Sequence, residues 1–177
     1  MNEQKEIRAI IGLGNPGSKH ARQRHNIGFM ICDALAERAH VDWQSKDLFQ
    51  MAQLPHNGKQ ILLIKPQTFM NASGKVLPFL QKKGIAPEQI LVVHDELEKP
   101  FGSITFAFGG SARGHNGLRS IIECIGKDFH RLRFGIGRPA RKEDVGTWVL
   151  SNFNEPADEL DALIEDAGDA IEGGIKD

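Results

Sequence analysis

Short apolar runs of strand type alternate along this chain with longer stretches of helical apolar spacing, and that alternation restricts the fold more than any other feature. "IRAIIGLG" (7–14) is short, rich in isoleucine and stopped by Gly-Asn-Pro-Gly, as a buried strand is. "NIGFMICDALAERAH" (26–40) follows, with Ile27, Met30, Ile31, Ala34, Leu35 and Ala39 at helical intervals. "LFQMAQL" and "KQILLIKP" flank an Asn-Gly, which predicts a hairpin. "PQTFMNASG" reads as a loop, and "KVLPFLQKKG" as a helix ended by Gly84, with Pro78 at its start or at a kink. "ILVVHD" (90–95), "SITFAF" (103–108) and "LRFGIG" (132–137) read as strands, and "LRSIIECIG" as a helix closed by Gly126. "EPADELDALIEDAGDAI" is a last amphipathic helix with acidic groups in its first turn, where the helix dipole favours them. The predicted fold is α/β: a single three-layer domain, 1–177, around a twisted mixed β-sheet with helices on both faces.

Composition sets the class of function. A chain of 177 residues, 40% apolar and 25% charged, supports one full hydrophobic core. No apolar run nears the roughly 18 residues of a membrane span, and "MNEQKEIRAI" lacks the build of a signal peptide. Cys32 and Cys124 are expected as buried free thiols, which fits a reducing cytoplasm. The net charge of −1 announces no polyanion partner, but the charge is unevenly spread. Residues 113–142 hold eight cations (Arg113, Arg119, Lys127, Arg131, Arg133, Arg138, Arg141, Lys142), whereas 155–177 hold nine acidic groups against Lys176 alone. Such a field can steer a phosphate backbone to one face; the plainer reading is two solvated faces.

In open α/β sheets, ligands collect beyond the carboxyl ends of the strands. The loops expected there carry Asn15, Arg24-His25-Asn26, Asn71, His94-Asp95 and His115-Asn116. A neutral His25 can take a proton near pH 7 if a partner fixes its tautomer, and Asp95, at a strand end, is the best partner in the chain. Together they make a dyad that activates water; the structural alternatives are a capping or packing role for His25 and a turn or N-cap role for Asp95. His94 is expected to point the other way along its strand and to be structural, while His115 is a rival base. Asn15, Asn71 and Asn116 either shape turns or present amides to a carbonyl and its oxyanion. Arg22 and Arg24 either face a polyanion or pair with local carboxylates. "GLGNPG" lacks the dinucleotide pattern, and neither a phosphate loop nor G-x-S-x-G occurs. The two cysteines are too few and too far apart for zinc, and H-E-x-x-H is missing, so no metal and no cofactor is expected.

Five strings in order between residues 11 and 139, "GLGNPG…RHNIGF", "KPQTFMNASGK", "VVHDELEKPFG", "GHNGLRSII" and "FHRLRFGIGRP", resemble the bacterial peptidyl-tRNA hydrolase family. The resemblance implies hydrolysis of the ester between a peptide and the tRNA 3′ ribose, with peptidyl-tRNA as partner and a cytoplasmic monomer as the working form. It implies that His25 is the general base, Asp95 the carboxylate that orients it, and Asn15 the amide that tells a blocked from a free amino end. His20, Phe69, Met70, Asn71, His115, Asn116 and Arg133 correspond to the substrate- and tRNA-binding positions. The chain departs from the pattern at His20, where tyrosine is usual, and at Thr105 and Ala107, where relatives carry lysines that grip phosphate. It also departs at Arg113, where glycine is usual, and in its acidic C-terminal helix. The alternative reading is a non-catalytic RNA-processing or splicing-factor subunit on the same fold.

Overall fold

Seven strands, β1 (Ala9–Gly12), β2 (Gln44–Ser45), β3 (Phe49–His56), β4 (Lys59–Pro66), β5 (Ile90–Glu96), β6 (Ile104–Phe108) and β7 (His130–Gly135), form one sheet in a computed structural model that describes residues 6–174. Their order is β2-β3-β4-β1-β5-β7-β6. β4, β1, β5 and β7 run parallel, whereas β2–β3, β3–β4 and β6–β7 are antiparallel, so the sheet is mixed. The helices are α1 (Ile27–Arg38), α2 (Leu77–Lys82), α3 (Asn116–Ile125), α4 (Val145–Val149) and α5 (Ala157–Gly174).

Strand alternation sorts the core into two layers. Ile10, Leu63, Leu91 and Val93 meet Ile27, Ile31 and Leu35 of α1 and Leu160, Ile164 and Ile171 of α5 on one face. Ile11, Ile64, Ile90 and Val92 meet Leu77 and Leu80 of α2 and Leu118 and Ile121 of α3 on the other. This is the three-layer α/β fold expected.

One close approach positions the site. A Cβ on Gly28 would come within 2.4 Å of both Leu13 N and Val93 O, and one on Gly12 within 2.3 Å of Gly28 O. The first turn of α1 therefore rests directly on the ends of β1 and β5. The residues just before it, Arg24–Asn26, are forced over the carboxyl end of β5, where Asp95 stands.

Several expectations need correction. The loop predicted at "PQTFMNASG" winds into 3-10 turns over Met70–Val76, and Pro78 sits in the first turn of α2, where its missing N–H costs nothing. β2 and α4 were not foreseen, both being too short to show a period. Cys32 is buried but Cys124 is exposed, because Leu118 and Ile121 take the inner face of α3. The basic stretch is not a free cationic face. Arg131 is 1% exposed and donates to Ser111 O, while Arg138 pairs with Glu98 and Arg141 with Glu143 and Asp144. Part of the acidic helix is likewise tied down, since Glu165, Asp169 and Glu172 surround Arg38. Lys176 and the first five residues lie outside the described residues.

Candidate active site

Nδ1 of His25 lies 3.0 Å and 2.9 Å from the two carboxylate oxygens of Asp95, and both side chains are buried. Burial pushes the Asp95 carboxyl up, but the charges of His25 and His115 and their hydrogen bonds outweigh it and hold the group below the usual range. Asp95 is thus an anion that only accepts, so Nδ1 of His25 carries its proton and Nε2 keeps its lone pair. Burial opposes charge on His25; the Asp95 charge and hydrogen bond together prevail and leave its pKa raised.

His115, the rival base, is engaged at both nitrogens. As the N-cap of α3 its Nδ1 accepts from the amides of Gly117 at 3.1 Å and Leu118 at 3.3 Å, so its proton sits on Nε2 and points at Asp95 Oδ1, 2.8 Å away. His94 was expected to face away. Alternation does set it on the other face of β5, yet its ring meets that of His115 edge-on at 5.4 Å and lines the same cavity. Burial first, then the nearby His115, pull His94 down to about 3, so it stays neutral while its Nδ1–H donates to Asp95 O. His25, Asp95 and His115 bring three potential metal-ligand atoms within 4.8 Å of one another, but each imidazole already spends an N–H on the carboxylate.

His25, Asp95 and His115 line a cavity of about 140 Å³ with Asn116, Glu96, Arg113, Arg131 and Arg133. A larger cavity, about 270 Å³, holds Asn15, Asn26, Gln50 and the Lys65–Asp33 pair and has no comparable base. Asn15 therefore faces this neighbouring cavity. Its Oδ1 accepts from Met70 N at 2.7 Å, and its backbone exchanges two hydrogen bonds with the Asn26 side chain. The amide oxygen is committed, so Nδ2 is the donor Asn15 has left.

The other expected residues are not all gathered here. Met70 is buried in the second core, whereas Phe69 and Asn71 are exposed on the adjoining turn. His20 bonds Gln23 Oε1 through Nδ1 at 2.8 Å. Arg133 is half-buried, with Nε 3.7 Å from Glu96 Oε1. Arg113, at φ 49°, reaches the same Glu96 at 3.6 Å. Arg24 faces neither a polyanion nor the solvent: it is buried against Trp148. Sequence reasoning missed one wall of the cavity, Val145, Gly146 and Val149 of α4. The available signal was Val145, Trp148 and Val149 at i, i+3, i+4, a single helical turn.

The family model described as peptidyl-tRNA hydrolase matches residues 9–177. A peptidyl-tRNA hydrolase of Rhodospirillum centenum is 44% identical over 168 residues, covering 91% of this chain and 74% of that one. One of Mycobacterium marinum is 42% identical, covering 92% and 88%. The crystal structure of peptidyl-tRNA hydrolase from Acinetobacter baumannii superposes with a TM-score of 0.88 at 39% identity, over 99% of this chain and 89% of the other.

Proposed function

The chain belongs to the peptidyl-tRNA hydrolase family, and on that footing we propose how it cleaves peptidyl-tRNA: His25 is the general base of a water attack on the ester carbonyl. Nε2 of His25 takes a proton from water as its oxygen bonds to the carbonyl carbon. Asp95 stabilises the imidazolium that results. The Asn116 amide, at the cavity edge, serves the oxyanion. The tetrahedral intermediate then expels the ribose 3′ oxygen, which takes the proton back from His25, leaving a free peptide carboxyl and an intact tRNA 3′ hydroxyl. No residue bonds covalently to the substrate.

The observation that carries this reading is the His25–Asp95 contact at 2.9 Å, with Nδ1 as donor and Nε2 left to accept. We propose the remaining roles from the resemblance of the motifs. Asn15 Nδ2 meets the peptide next to the ester; His20, Phe69, Met70 and Asn71 flank the peptide; His115 supports Asp95; Arg133 meets RNA phosphate. The assembled dyad does not favour the non-catalytic alternative. We further propose one domain over 1–177, a monomer, and a reducing cytoplasm, which suits the free thiols Cys32 and Cys124.

The test is hydrolysis of an N-acetyl-aminoacyl-tRNA by the full chain and by His25→Ala. The variant keeps the wild-type circular dichroism and loses at least about a hundredfold in turnover. Turnover equal to wild type overturns the assignment of the base.

A further inference from the structure

The turn that carries His25 also carries a buried cation that the chemistry above does not use. Arg24 is 1% exposed. Its guanidinium carbon lies 3.5 Å from the centre of the Trp148 ring and 5.9 Å from that of Phe153, and its Nη1 donates to Trp148 O at 3.0 Å. The backbone adds to this: Arg24 N donates to Ser151 O at 3.0 Å, and Gln23 pairs as a single bridge with Asn152. Trp148 sits in α4, whose Val145, Gly146 and Val149 line the cavity that holds His25.

α4 has five residues, far too few to stand as an isolated helix. Apart from the turn that leads into it, it packs on the Arg24–Asn26 segment, its Trp148 and Val149 also lie against the core, and Trp148 Nε1 donates to Gly137 O at 2.9 Å. A desolvated guanidinium on an indole face is among the stronger cation–π contacts. The contact keeps the planar fork bonded to the last turn of α4, which a point charge cannot do as well. Arg24 is therefore the one charged side chain that joins the base-bearing turn to the opposite wall through both stacking and a hydrogen bond among the described residues.

Resting on the reading of His25 as the base, we propose that Arg24 is a positioning residue that fixes α4 as the wall against which the acyl end of the substrate packs. The base itself is held separately, by Asp95, through a contact Arg24 does not share. Loss of Arg24 thus loosens the wall and spares the base, which predicts an effect on KM and not on kcat.

The experiment measures N-acetyl-aminoacyl-tRNA hydrolysis by full-length Arg24→Met, with acrylamide quenching of Trp148 in a Trp43→Phe background. KM rises about tenfold, kcat stays within about twofold, and Trp148 becomes easier to quench. The pH profile of kcat is unchanged, and Arg24→Lys, which keeps the cation but not the fork, recovers part of the KM. A merely structural role lowers the active fraction instead, which cuts apparent kcat at constant KM. An unchanged KM overturns the proposal whatever kcat does, and so does a raised KM with Trp148 quenching as in wild type. Should Arg24→Met not fold, Trp148→Leu decides by the same KM criterion. Failure of the base assignment shows separately, as turnover retained in His25→Ala, because every Arg24 measurement keeps His25 intact.

Discussion

His115 Nε2 lies 2.8 Å from the Oδ1 of Asp95 that His25 also approaches, so one buried carboxylate is gripped by two imidazoles. The two rings are not equivalent. The helix amides of Gly117 and Leu118 occupy the second nitrogen of His115, whereas Asp95 engages only Nδ1 of His25, the ring proposed as the base. Two imidazole donors hold Asp95 ionised and fixed, and Asp95 in turn fixes the tautomer and orientation of His25.

The pH dependence of the reaction follows. The proposed base, His25, acts only when neutral, and its pKa is raised because, against burial, the Asp95 charge and hydrogen bond together prevail. In Asp95→Asn the raising influences vanish and burial remains, so the acid limb of kcat/KM moves to lower pH. Its plateau falls by about a hundredfold or more, because the imidazolium loses its counter-ion. Profiles of kcat/KM between about pH 5 and pH 9 check this. An acid limb that stays put or moves up refutes the stated cause of the shift.

The role proposed for Asn15 makes selectivity for a blocked amino end depend on the donor it retains. Aspartate at this position still offers an oxygen to Met70 N, so the loop contact survives while the Nδ2 donor is replaced by an acceptor. Asn15→Asp is expected to keep the fold and to lower the preference for N-acetyl-aminoacyl-tRNA over aminoacyl-tRNA by about tenfold. The shift is toward the free end, because a carboxylate attracts its ammonium. Competition between the two substrates measures this, and an unaltered ratio counts against the role of Asn15.

The fold was legible where apolar period and turn chemistry agreed. Ile10, Ile11 and Val92 stand in runs too short and too β-branched for a helix, and the Asn57-Gly58 turn joins β3 to β4 as the sequence predicts. The dyad was legible because Asp95 ends one such run and His25 precedes a helical one. Other features lay beyond a sequence reading for physical reasons. Asn15 lines a cavity other than the one that holds His25, and its placement there is fixed by hydrogen bonds to Met70 and Asn26 that no local pattern encodes. The burial of Arg24 and Arg131 depends on a distant tryptophan and on the carbonyls of the glycine loop. A charge count treats both as surface groups, so neither reading of the basic stretch allowed for their burial.

Arg113 stands in left-handed backbone at φ 49°, where a side chain costs about 1 kcal/mol and glycine costs nothing. It is also exposed at the mouth of the cavity, and its nearest acidic group, Glu96, is 3.6 Å away and shared with Arg133. The position thus carries strain and adds one cation to the lining of the cavity. Arg113→Gly is expected to raise thermal stability by about 0.5–1 kcal/mol while raising KM for a peptidyl-tRNA. With one fewer phosphate contact, the slope of log(kcat/KM) against log salt flattens by about one. Thermal unfolding and a salt series on the same preparation check both halves. A variant that is more stable with an unchanged salt slope would leave Arg113 with no electrostatic part in substrate capture.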